Sequence, residues 1–168
     1  MSGIINQVGA KSGIISGGGS ASAGTVTLSG TTGLVYEEGD WTPIISDTSN
    51  NATGYDVNEG FYTKIGRVCY LTGRITTNNL GSVSGYIVLG GFPFTVNNSN
   101  KARSGLTIVG HDFNLSASEG PVIGGDCETD TTFAYLRRWD SSGGSTQMTG
   151  AEWSADGGAY FSIFYIVA

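Results

Sequence analysis

Alternation between apolar and polar residues, interrupted by closely spaced turn signals, constrains the fold of this chain more than any other feature. In the clearest run, residues 68–76, one set of alternate positions reads Val, Tyr, Thr, Arg, Thr and the other reads Cys, Leu, Gly, Ile. Successive side chains of a β-strand point to opposite faces, so this run predicts a strand. Shorter runs follow at residues 85–89, 105–109, 121–123, 131–137 and 159–167. Seven to nine such strands predict an all-β fold, an antiparallel β-sandwich of jelly-roll type.

Several local elements are specific enough to be compared with a structure one by one. Residues 39–45 begin a strand, with Pro43 at its start or at a sheet edge. Residues 47–58 are rich in Asn, Ser, Thr and Gly and predict a loop, whereas residues 61–77 predict two strands or one long bent strand. The one helical signal is a turn over residues 149–153, which begins with a Thr-x-x-Glu capping box.

The composition agrees with the strand pattern and excludes several classes of function. Glycine accounts for 28 of 168 residues and charged residues for 13%, and runs of strong helix formers are absent. The net charge is −6 and the 8 Lys and Arg residues are scattered, so the cationic surface that binds nucleic acids or anionic membranes is missing. No apolar stretch approaches the roughly 20 residues of a membrane span, and the first residues do not resemble a signal peptide. We expect no nucleic-acid partner and no membrane partner.

The first 30 residues predict a segment separate from the strand-rich part of the chain. Small residues dominate it, and two apolar pairs recur ten positions apart: Ile4 with Ile5, and Ile14 with Ile15. These apolar side chains are too few to offset the entropy of ordering the segment by itself. We predict a flexible, Gly/Ser-rich anchoring arm over residues 1–30, ordered on another surface through the four isoleucines, and a β-sandwich domain over residues 31–168. An ordinary disordered terminus is the alternative.

The sequence contains no complete set of catalytic or metal-binding residues. His111, the single histidine, precedes Asp112 as in a catalytic pair, but no Gly-x-Ser-x-Gly motif accompanies it. Three acids within residues 126–130 could supply oxygen ligands to Ca²⁺, although a solvated turn is the simpler interpretation. Carboxylates for glycoside hydrolysis are candidates by residue type alone: Glu37, Glu38, Glu119 and Glu152. We predict a protein that is not an enzyme and has no metal or other cofactor.

The two cysteines leave two interpretations open. Cys69 and Cys127 lie 58 residues apart and do not form a CxxC motif. The position of Cys69 within a strand pattern favours a small buried side chain, since free cysteine is among the most buried residue types. A disulfide between the two residues is the alternative.

One group of residues is predicted to contact a ligand or partner. Most aromatic residues fall within strand patterns, where they fill a core or a subunit interface, and a platform for stacking sugars is the alternative. Trp139 differs because it lies between two arginines and the Ser- and Gly-rich residues 140–144, as expected at an exposed loop tip. The predicted contact surface therefore consists of Arg137, Arg138 and Trp139.

Four short motifs follow one another in the strand-rich part of the chain: YEEGDWTP at 36–43, GFYTKIGRV at 60–68, LGGFPF at 89–94 and YFSIFY at 160–165. In this order they resemble YEEGTWTP, G-Y-K-I-G-N-V, I-x-G-L-P-F and I-x-F-S-G-x-Y, motifs of a β-sandwich domain in virion fibre and decoration proteins of tailed phages. The resemblance covers most of residues 36–166. It implies a phage particle component with a jelly-roll sandwich that is usually trimeric, and it implies no catalytic activity.

The short N-terminal segment refines what the resemblance implies. It is similar to leaders that precede this domain in proteins of marine and cyanobacterial phages, and it lacks the heptads or collagen-like repeats of a long fibre shaft. This favours a capsid decoration or head-fibre protein on the virion surface, a homotrimer whose arm binds the major capsid protein or another virion protein. A tail-fibre protein that recognises host surface glycan is the alternative, and an enzyme that acts on polysaccharide is a third hypothesis.

Overall fold

Two antiparallel β-sheets face each other across a hydrophobic core. The computed structural model describes residues 35–115, 122–140 and 143–168. The first sheet has the strand order β1 (Tyr36–Trp41), β3 (Gly54–Ile65), β4 (Val68–Asn79), β10 (Gly158–Ile166) and β6 (Leu106–His111). The second has the order β2 (Ile44–Ser46), β5 (Val88–Gly90), β8 (Phe133–Asp140) and β7 (Ile123–Cys127), and β9 (Gly144–Gln147) also pairs with β8. The predicted fold class, an antiparallel β-sandwich of jelly-roll type, is confirmed.

The chain changes sheets between β1 and β2, and proline lies at the change. The predicted strand over residues 39–45 is in fact the end of β1 and the start of β2, which belong to different sheets. Pro43 is buried between them. Proline has no N–H to contribute to a strand ladder, so it fits a position where the pairing partner changes.

Residues 61–77 belong to two strands, β3 and β4, which form a hairpin, and not to one long bent strand. Ile65 pairs with Val68, and the turn begins at Gly66, whose φ of 59° lies in the left-handed region that glycine adopts without strain. The predicted loop over residues 47–58 is too long, because β3 begins at Gly54 and pairs there with the end of β4. Cross-strand hydrogen bonds outweigh the low strand propensity of Asn, Asp and Gly in this segment.

Two further short elements complete the described residues. The predicted helical turn is confirmed as α1 (Gly150–Trp153), and a 3-10 turn covers Asn100–Ala102. The strand β9 was not predicted, because its sequence, Gly-Ser-Thr-Gln, has no apolar alternation. It forms by pairing with the end of β8.

The core contains side chains from the inner faces of both sheets. Trp153 and Tyr165 are its largest fully buried residues, and the buried Trp153 indole donates a 3.0 Å hydrogen bond to Thr77 Oγ1. That hydroxyl donates in turn to the carbonyl of Gly157 at 3.1 Å, so the buried polar groups satisfy one another. Both cysteines are fully buried free thiols, which agrees with the interpretation of Cys69 as a small core residue.

The four sequence motifs converge on one aromatic cluster in this core. Trp41 of the first motif makes edge-to-face contacts with Phe92 of the third and Phe161 of the fourth, each with ring centroids 5.8 Å apart. Phe92 also stacks on Tyr165 at 5.3 Å, and Tyr62 of the second motif meets Phe94 at 5.4 Å. These motif residues therefore stabilise the packing of the two sheets.

Candidate functional site

The base of the first sheet carries an apolar patch on its outer face. Side chains of Ile65, Val68, Tyr70 and Phe164 are 46%, 43%, 47% and 58% exposed, respectively. Ile65 pairs with Val68 and Tyr70 pairs with Phe164, so the four side chains are neighbours on one face. We call these four residues the basal patch. Monomeric proteins rarely expose contiguous apolar surface of this kind.

The basal patch lies where the chain enters the sandwich. Tyr36, the first residue of β1, pairs with Ile65, and the carbonyl of Val35 accepts a 2.7 Å hydrogen bond from the Gly66 amide. Residues 1–34 join the described part of the chain at this edge. The basal patch and the start of β1 are therefore at the same end of the first sheet.

A second feature of the same face is an open groove of about 570 Å³. Its lining includes Asp40, Glu59, Phe61, Arg74 and Tyr160, which come from four adjacent strands. The Arg74 guanidinium forms a 2.8 Å ion pair with the Glu59 carboxylate, and both side chains are largely exposed. Phe61 is 71% exposed and Tyr160 is 55% exposed. We call this feature the upper groove.

The predicted contact residues do not share one face. In β8, Arg137 and Trp139 project from the outer face of the second sheet, whereas Arg138 lies on the inner side with the core residue Leu136. Trp139 is 56% exposed and lies beside Val122, whose carbonyl accepts its amide hydrogen bond at 2.8 Å. Arg137 and Trp139 thus border a common surface that does not include the side chain of Arg138.

Arg138 instead forms an ion pair at the end of the core. Its Nε lies 2.5 Å from Glu152 Oε1, and the two side chains are 14% and 10% exposed. The other carboxylate oxygen of Glu152 accepts hydrogen bonds from the Thr149 amide at 2.6 Å and the Thr149 hydroxyl at 2.9 Å. One carboxylate therefore caps α1 and compensates a buried arginine, a structural role.

Two of the three acids in the segment 126–130, Asp126 and Glu128, form ion pairs within the protein. Asp126 accepts a hydrogen bond from Arg137, and Arg103 pairs with both Glu128 and Asp126. The hydrogen bond to Asp126 raises the pKa of the Arg137 guanidinium above its ordinary value, which shows how closely the two groups are paired. Within residues 35–115, 122–140 and 143–168, no three His, Cys, Asp or Glu side chains are grouped as metal ligands.

The remaining candidate catalytic residues are dispersed. His111 lies at an exposed strand end with its Nδ1 2.9 Å from Asp112 Oδ2. Glu37 accepts a 3.0 Å hydrogen bond from the Tyr62 hydroxyl, and Glu38 accepts one from the hydroxyl of Tyr36. Glu119 lies outside the described residues. These carboxylates support neighbouring side chains and do not face one another across a cleft.

The buried thiols are chemically protected. Desolvation in the core raises the pKa of Cys127 to about 11 and raises the pKa of Cys69 as well. The reactive thiolate form is therefore scarce near neutral pH, and both residues behave as core side chains.

The predicted arm lies outside the residues that the structure describes. This applies to the proposed anchoring residues Ile4, Ile5, Ile14 and Ile15 and to the predicted boundary at residue 30. Both remain predictions.

No protein-family model and no curated protein sequence matches the chain. None of the helices in the described residues has the length and hydrophobicity needed to cross a bilayer. The fold thus defines the class, a two-sheet antiparallel β-sandwich, and the exposed features of its first sheet define the candidate sites.

Sequence reasoning missed the main surface features because the first residues of β4 are apolar on both faces. Tyr70 and Tyr160 belong to the aromatic residues predicted to fill a core or a subunit interface, and the sequence pattern does not single out Phe61. The signal was present in β4, where Val68 and Tyr70 alternate with Cys69 and Leu71. When a strand has apolar residues on both faces, both faces are usually buried in the same chain, or a partner covers one of them.

Proposed function

We propose that this protein is a non-enzymatic structural component of a phage virion, a capsid decoration or head-fibre protein that assembles as a homotrimer. The basal patch is the observation that carries this proposal. Its four side chains are between 43% and 58% exposed in the single chain. Covering them with other copies of the same chain would remove apolar surface from water, and homo-oligomer interfaces are usually more apolar than the remaining surface.

The position of the basal patch supports anchoring at the same end. The start of β1 lies beside Ile65 of the patch, so an arm that precedes it would leave the sandwich close to the subunit contact. Three arms would then emerge together and bind neighbouring sites on the capsid. Linked binding segments gain avidity from their high effective concentration, so short apolar pairs such as Ile4 with Ile5 suffice for stable attachment.

Deleting residues 1–30 is expected to abolish incorporation into particles while leaving a folded oligomer. Particles assembled with the full chain and with the deleted chain would be compared by quantitative immunoblotting after purification. Gold labelling in cryo-electron micrographs would show the full chain on heads. Normal loading of the deleted chain would contradict the anchoring role, and label on tails would favour the receptor-binding alternative.

Substituting serine for both Tyr70 and Phe164 is expected to dissociate the oligomer. Large aromatic residues at interface centres typically contribute about 2 kcal/mol each, which corresponds to about 30-fold in Kd. Light scattering coupled to size-exclusion chromatography would measure the mass of the wild type and the variant. The matched control replaces Val122 and Trp139 by serine, since these exposed apolar residues lie on the other sheet. A monomeric wild type, or equal dissociation in the control, would contradict the proposed interface.

A receptor-binding tail protein is the second candidate function. The upper groove favours it, because an open site with exposed aromatic and charged side chains is typical of a surface that binds a ligand.

A further inference from the structure

The upper groove combines two exposed aromatic rings with three charged side chains, Asp40, Glu59 and Arg74. In the strand register, Phe61 pairs with Thr72, which pairs with Ser162, and Arg74 pairs with Tyr160. The rings therefore lie on strands separated by one intervening strand and offset by two residues along the sheet. This places their Cα atoms about 12 Å apart. Hydroxyl and guanidinium groups occupy the positions between them.

This arrangement does not fit an apolar protein partner. An apolar surface laid across the groove would bury the carboxylate of Asp40 and the ion pair of Arg74 with Glu59 without providing new hydrogen bonds. Burying polar groups in that way costs free energy. The basal patch has no such ion pair, because its residues pair only with one another and with the uncharged Tyr36, Thr63 and Ile166. The two features of this face therefore suit different partners.

The polar groups of the groove match sugar hydroxyls. The carboxylates of Asp40 and Glu59 accept hydrogen bonds from O–H groups, and the guanidinium of Arg74 donates to hydroxyl or ring oxygens. The rings of Phe61 and Tyr160 offer flat apolar faces on which the C–H face of a pyranose can stack. Two carboxylates against one guanidinium, in a chain of net charge −6, disfavour an anionic polymer.

We infer that the upper groove binds a neutral oligosaccharide, with Phe61 and Tyr160 stacking on separate pyranose rings and the intervening polar groups bonding their hydroxyls. The Cα separation of about 12 Å suits a ligand of several sugars, so that each ring stacks on a different one. This inference goes beyond the proposed structural function, and it holds whether the protein is located on heads or on tails.

Isothermal titration of the full chain with defined hexasaccharides would test the inference. The neutral probes are cellohexaose, maltohexaose and chitohexaose, and the anionic probe is hexagalacturonic acid. We expect at least one neutral hexasaccharide to bind with a Kd of about 0.1–1 mM, an affinity that an open groove can supply. Substituting Phe61→Ala or Tyr160→Ala should weaken binding by about tenfold or more. The control is Tyr86→Ala, which removes an aromatic ring of similar exposure outside the groove lining and should leave binding unchanged.

Two results would overturn the inference. One is the absence of binding by every neutral hexasaccharide at millimolar concentration. The other is equal binding by the wild type, Phe61→Ala and Tyr160→Ala. The oligomer mass would be measured on the same samples. If Phe61→Ala dissociates the oligomer and no saccharide binds, the groove is a subunit contact and the inference is wrong while the proposed homotrimer stands. If saccharides bind to a monomeric wild type, the inference stands and the homotrimer is wrong.

Discussion

The Trp41→Ala variant is expected to lose about 3–5 kcal/mol of unfolding free energy, the usual cost of removing a large buried aromatic residue. Trp41 is 6% exposed, and its indole contacts two other aromatic rings of the core. Its Nε1 also donates a 3.1 Å hydrogen bond to the carbonyl of Thr72, two strands away in the first sheet. The substitution therefore removes packing and leaves a carbonyl without its partner.

The Trp41 indole fits at this position because residue 60 is glycine and has no side chain. A Cβ atom on Gly60 would lie 2.4 Å from Trp41 Nε1 and 2.5 Å from the Thr72 carbonyl oxygen. We expect Gly60→Ala to displace the indole and to cost about 1–3 kcal/mol, as overpacking of a core usually does. The control is Gly124→Ala, because a Cβ atom there meets nothing within 4 Å.

Urea denaturation followed by circular dichroism, at one fixed protein concentration, would measure the three variants. The expected order of stability places the Gly124 variant within about 0.5 kcal/mol of the wild type. The Gly60 variant is expected to be less stable than the Gly124 variant, and the Trp41 variant is expected to be the least stable. A Gly60 variant as stable as the Gly124 variant would show that the indole has room to move.

The Glu152→Ala variant is expected to lose about 3–5 kcal/mol, because it removes the carboxylate that compensates the buried charge of Arg138. The variant also loses both hydrogen bonds from Thr149 that fix the start of α1. A double variant, Glu152→Ala with Arg138→Met, should recover part of this loss because the charge is removed together with its counterion.

The matched control for this ion pair is Glu59→Ala. Glu59 and Arg74 form a pair of similar length, 2.8 Å, but their side chains are 69% and 51% exposed. Exposed pairs contribute about 0–1 kcal/mol, so the control should be close to the wild type. If Glu152→Ala and Glu59→Ala lowered the thermal midpoint equally, burial of the Arg138–Glu152 pair would not explain its contribution to stability. Full stability of the Glu152 variant would contradict the compensating role itself.

Local signals predicted the elements that depend on neighbouring residues. The Thr149 to Glu152 spacing correctly predicted α1, because a capping box acts within one turn of the chain. The alternation over residues 68–76 correctly predicted β4, because the pleat of a strand sets the direction of each side chain. Strands without such signals were missed or shortened: β9 and the first residues of β3 form because a partner strand is present.

The candidate site was harder to predict than the fold. Arg137, Arg138 and Trp139 are consecutive, and their sequence predicts a common surface. In β8 the middle residue points to the opposite side and meets Glu152 from α1. The upper groove, in contrast, combines residues from four strands, and one of them, β10, is distant in sequence from the other three. No local motif therefore identifies it.

The sequence by itself determined the β-class of this protein and which residues alternate along a strand, because both follow from backbone geometry within a few residues. It did not determine which apolar face is buried. Leu71 is fully buried and Tyr70 is 47% exposed, although both belong to the same alternating run. Only the tertiary structure decided this, because the second sheet covers one face of β4 and leaves the basal patch and the upper groove on the other.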